Sequence, residues 1–66
     1  MDLIVTPNIV DPDGFYEELI DAQRDLSDEE AEMMNAKLVL TLANHVGDRA
    51  LLSQAIRLAK GAAGQK

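Results

Sequence analysis

His45 is the only imidazole in this sequence, and the chain has no cysteine. Asp48 follows His45 by three residues. A histidine near an aspartate is the pairing of a general base and the group that orients it. No serine or cysteine nucleophile is suggested nearby, since Ser53 falls a turn and a half into the next expected helix. The same residues fit a plainer role, which we adopt. His45 sits at a helix C-terminus, where the dipole favours a cation, and Asp48 caps the helix that follows. Asp11-Pro12-Asp13-Gly14 with Glu17 suggests a calcium loop, but the glycine and the bidentate glutamate of such a loop belong at its sixth and twelfth positions. Helix capping explains these residues better. With one histidine and no cysteine, a zinc site within one chain is not expected on ligand supply. The sequence therefore assigns no catalytic, cofactor-binding or metal-ligating residue, and the expectation is a chain that is not an enzyme.

The elements that carry these residues read as three helices. Asp11 suits an N-cap and Pro12 the first helical position, where a missing N–H is harmless. Val10 and Phe15 stand at the two positions of a hydrophobic staple. Phe15, Leu19, Ala22 and Leu26 recur on one helical face, predicting a helix over about 12–25. Ser27-Asp28-Glu29-Glu30 is a capping box with three carboxylates in the first turn, and it opens a helix over 28–46. The middle of that helix, from Met33 to Ala43, is apolar nearly all round. It is expected to be the central member, covered on more than one side, with Met33-Met34 filling the core. Gly47 fits the left-handed position that ends a helix. Asp48 then caps a third helix over 49–60, with Leu51, Leu52, Ala55, Ile56 and Ala59 as its stripe. Gly61 is expected to stop it, leaving 62–66 as a flexible tail. Residues 1–10 read as an extended arm, too apolar to hang free, which lies on the helices. The expected fold is all-α, a three-helix bundle with an extended N-terminal arm and a long central second helix.

Charge divides the chain in two. Residues 1–32 hold eleven carboxylates against Arg24 alone, a balance of −10. Residues 33–66 hold Asp48 against five bases, a balance of +4, which gives the net −6. A net negative chain with two aromatic residues offers nucleic acid neither a phosphate-binding surface nor a stacking platform. Arg49, Gln54, Arg57 and Lys60 on the third helix suggest a helix-turn-helix, but the acidic half opposes it. The acidic run from Asp25 to Glu32 is read as a solvated helix start rather than a docking patch. No run approaches the ~20 apolar residues of a membrane span, and Met1 to Pro7 lacks the basic and apolar regions of a signal peptide. No membrane or nucleic-acid partner is expected. The absence of cysteine suits the cytoplasm.

Three blocks of the sequence stand out together: Asp11-Pro12-Asp13-Gly14-Phe15-Tyr16, then Met34-Asn35-Ala36-Lys37-Leu38, then Leu42-Ala43-Asn44-His45-Val46-Gly47-Asp48. With Leu26-Ser27-Asp28-Glu29-Glu30 between them, they resemble a family of small bacterial proteins of unknown function, about 60–70 residues long. The resemblance spans nearly the whole chain. It brings no established activity, so no residue role is carried over. It implies, as an alternative function, an accessory subunit of an oxygenase or another catabolic enzyme. The span from Leu42 to Ala59 also resembles one tetratricopeptide helix pair, although the chain holds no repeat.

A chain of 66 residues buries little surface, and this one has no disulfide to compensate. Two short helices and an arm do not fully cover an apolar central helix. The leftover surface calls for a homodimer or another protein partner, so the expected function is a non-enzymatic protein-interaction module.

Overall fold

Pro12, Ser27 and Asp48 each begin a helix, and the computed structural model, which describes residues 2–64, has three: α1 (Pro12–Gln23), α2 (Asp28–Val46) and α3 (Arg49–Gly64). The described residues contain no strand, and the chain is all-α. At the head of α1 the Asp11 carboxylate accepts the Gly14 N–H at 3.2 Å. Asp11 itself is left-handed, with φ of 55°, a conformation that aspartate tolerates better than most residues. This turn carries the preceding chain away from α1. Val10 is 93% exposed, so the expected staple with Phe15 does not form.

The capping box at α2 is complete. Ser27 Oγ accepts the Glu30 N–H at 3.2 Å, and Glu30 Oε1 accepts the Ser27 N–H at 2.9 Å. Ser27 must be extended to do this (φ −69°, ψ 168°), so the chain before it has to leave the helix. α1 accordingly ends at Gln23, two residues before the expected limit, and the Leu26 N–H closes a turn on the Gln23 carbonyl at 3.1 Å. Gly47, at φ 73°, ends α2 and returns its N–H to the Ala43 carbonyl at 2.9 Å. Asp48 Oδ1 then accepts the N–H groups of Ala50 and Leu51, at 2.9 and 3.1 Å, and so caps α3.

α3 does not stop at Gly61. It continues to Gly64, so residues 62–64 of the expected tail are helical, while 65–66 lie outside the described residues. A helix-interior glycine costs only about 1 kcal/mol, and Ala62 and Ala63 carry the helix on with no proline to break it.

The helices touch lightly. Gln23 Nε2 donates to Asn35 Oδ1 at 2.7 Å between α1 and α2, and the Leu3 N–H donates to Gln54 Oε1 at 3.3 Å, tying the arm to α3. Ala31, Met34 and Leu38 form a half-buried stripe on α2, and Leu51 to Ala55 are half-buried on α3. Among the described residues none is fully buried, and no two helices pack along their length. The expected burial of α2 on more than one side is therefore corrected. Met33 is 75% exposed rather than core, and only Met34 of that pair is partly covered. The radius of gyration is 13.5 Å, against roughly 11 Å for a close-packed domain of this length.

Candidate functional site

Where α2 and α3 diverge from their short connection, they form the two walls of an open groove of about 560 Å³. The α2 wall is Val39, Leu40, Leu42, Ala43 and Val46. Its spacing of three and four residues marks one helical face. The α3 wall is Arg49, Leu52, Ala55, Ile56 and Ala59. Nine of these ten side chains are apolar. The exception, the Arg49 guanidinium, donates to the Ser53 hydroxyl one turn along α3. Leu40 on one wall and Ile56 on the other are 68% and 63% exposed. The link between the walls is fixed by the left-handed Gly47 and the Asp48 cap, so the groove is built into the hairpin.

The model of the family described as protein of unknown function (DUF2783) matches residues 3–61. The chain belongs to this family. The DUF2783 span begins at Leu3, which ties the arm to α3, and takes in both walls of the groove and the Gly47-Asp48 link. It ends at Gly61, inside α3. No curated protein and no solved structure matches the chain.

His45 lies in the last turn of α2, exposed and outside the groove lining. The capping oxygen of Asp48 faces two backbone N–H groups of α3, so it is engaged there rather than in orienting an imidazole. Asp11, the first acid of the apparent calcium loop, caps α1. No group of three or more acids or histidines among the described residues is placed to hold a metal ion. Asp28, Glu29 and Glu30 occupy the first turn of α2. The backbone N–H of Ser27, and then its hydroxyl, hold the Glu30 carboxyl below its ordinary value. Of the four residues that suggested a helix-turn-helix, Gln54 is taken by the arm and Arg49 by Ser53. Among the described residues no helix is long and apolar enough to cross a membrane.

A second surface lies on α1 and its C-cap, where Asp13, Tyr16, Glu17, Ile20, Asp21 and Arg24 line one side. Arg24 and Asp21 pair there at 2.6 Å in the open, where such a pair contributes little. Sequence reasoning identified the apolar stripes of both groove walls. It did not find the groove itself, because an apolar stripe does not say whether its neighbour closes over it. Gln54 carried a signal for the arm: it is a polar residue next to an apolar stripe, and it takes up a backbone donor.

Proposed function

We propose that this chain is a non-enzymatic protein-interaction module of the bacterial cytoplasm, with the groove between α2 and α3 as its docking face. One observation carries this reading: a continuous apolar surface stays open to water on a chain whose described residues form no buried core. Exposed apolar patches of this kind mark interaction sites on small proteins. The lining supports the non-enzymatic part, since one guanidinium among nine apolar side chains provides no acid–base pair. Regular i, i+3, i+4 spacing on both walls suits a helical partner laid into the groove.

The test is photocrosslinking in the producing cells, with a benzophenone amino acid at Leu42 in the groove or at Tyr16 on the outer face of α1. Adducts are expected from position 42 and not from position 16. Without any protein adduct at position 42, the docking face is lost. The mass of the adduct identifies the partner, and a catabolic enzyme such as an oxygenase would make the chain an accessory subunit.

A further inference from the structure

We infer that the groove is occupied by a second copy of this chain, the two α2–α3 hairpins meeting groove to groove across a two-fold axis as a four-helix assembly. This rests on the docking reading above and names its partner.

Surface area carries the inference. The chain exposes 6163 Å². A close-packed monomer of 7.2 kDa exposes roughly 4,100 Å². Each chain therefore has about 2,000 Å² too much in water, shared between the groove and the apolar residues of the arm and α1; two chains that cover half of it through their grooves bury about 2,000 Å² between them, where the range of obligate homodimers begins. A transient partner, at well under 1,200 Å² in total, leaves most of that excess exposed. The deficit also belongs to the fold itself, because none of the described residues is fully buried. A fold that always lacks its core needs a cover present wherever the chain is made, and a second copy meets that condition.

Charge points the same way. The whole chain is −6, which sets two copies against each other at long range. The segment 39–59, which builds both walls, carries only Asp48, Arg49 and Arg57, a balance of +1. Ten excess negative charges lie before residue 33, outside the groove. Contact through the groove brings two nearly neutral apolar faces together and leaves the carboxylates in water. Contact through the acidic face of α1 would oppose like charges. An isologous contact also closes on itself and leaves no open edge for further addition.

The experiment is sedimentation equilibrium of the purified full chain, combined with disulfide trapping, which the absence of native cysteine makes clean. Wild type is expected at twice the chain mass at micromolar concentration. Leu42→Glu and Ile56→Glu, which place a carboxylate in the groove of each copy, should weaken pairing roughly a hundredfold or more. Because loss of pairing brings loss of helix in this reading, trapping supplies the independent arm. Leu42→Cys or Val46→Cys should yield a covalent dimer on oxidation, while Tyr16→Cys should stay monomeric. A helical monomer at millimolar concentration overturns the inference, as does trapping through position 16 and not through the groove. If that monomer still gives a foreign adduct at position 42 in cells, the docking face stands and the second copy falls. If it gives no adduct, both fall.

Discussion

Gly14 and Asp11 fit one another so closely that a methyl group on Gly14 would stand 2.1 Å from Asp11 Oδ2. The same carboxylate caps α1 through the Gly14 N–H. Glycine is thus favoured by the position of the capping carboxylate rather than by the backbone, because its own φ is not left-handed. Gly14→Ala alone should give no gain in stability, or a loss of up to about 1 kcal/mol, since the helix-propensity benefit is offset by the displaced cap. In an Asp11→Gly background the same change should stabilise by about 0.5–1 kcal/mol. Denaturant titrations of the four chains at one protein concentration read the reversal of sign. Additive effects would show that the cap does not hold in solution.

Ser27→Ala should lose roughly 0.5–2 kcal/mol, because it leaves the Glu30 N–H without its acceptor. The pH dependence has a definite sign. The folded state holds the Glu30 carboxyl below its ordinary value of 4.5, chiefly through the Ser27 backbone N–H. Its contribution is complete above the unfolded value and is lost as the pH falls through the lower folded one. Helicity followed from neutral to acid pH should fall less steeply in Glu30→Gln than in wild type across that window, once the other carboxylates are accounted for by the shared baseline.

Two glycines should respond in opposite directions. Gly61 lies inside α3, and a Cβ there meets nothing within 4 Å. Gly61→Ala should raise helicity and stabilise by up to about 1 kcal/mol. Gly47 holds φ of 73° at the end of α2. Gly47→Ala forces a left-handed alanine and should destabilise by about 1–2 kcal/mol. Circular dichroism melts compare the pair directly, and equal effects would contradict the path of the chain at one of these sites.

Association through the groove should depend only weakly on salt. Exposed charges are screened beyond about 8 Å at physiological ionic strength, but apolar burial is not. Sedimentation from low to high salt should show a dimer constant that changes little or tightens, as repulsion between two −6 chains is screened. A steep loss of dimer with salt would mean that the acidic and basic halves, rather than the groove, make the contact.

The helix starts were legible in the sequence because their chemistry is local. Ser27 with Glu30 and Asp48 before Ala50 act across three residues or fewer, and Gly47 needs only its own backbone to end α2. The ends were less legible. α1 yields Arg24 and Asp25 to the extended Ser27, and α3 runs through Gly61 because two alanines follow. Burial was the hardest to read. The apolar middle of α2 was legible, and the apolar surface left over was foreseen. But periodicity does not distinguish a side chain covered within its own chain from one left for another, and Val39, Leu40 and Leu42 remain in water. The staple failed for a similar reason, since the left-handed turn at Asp11 leaves no mark in the residues at positions 10 and 15.

The two-residue link at Gly47 and Asp48 also sets the order of events in assembly. Both groove walls are joined by contacts close in sequence, and helical hairpins of such local topology form in microseconds to milliseconds. Encounter between two proteins at micromolar concentration is slower, with association rate constants of about 10⁵–10⁷ M⁻¹s⁻¹. On the proposed pairing, the hairpin forms and dissolves many times before it meets a second copy. With a second copy as the cover, refolding should proceed at a speed set by how much of the chain is present, and dilute chain should stay largely unfolded.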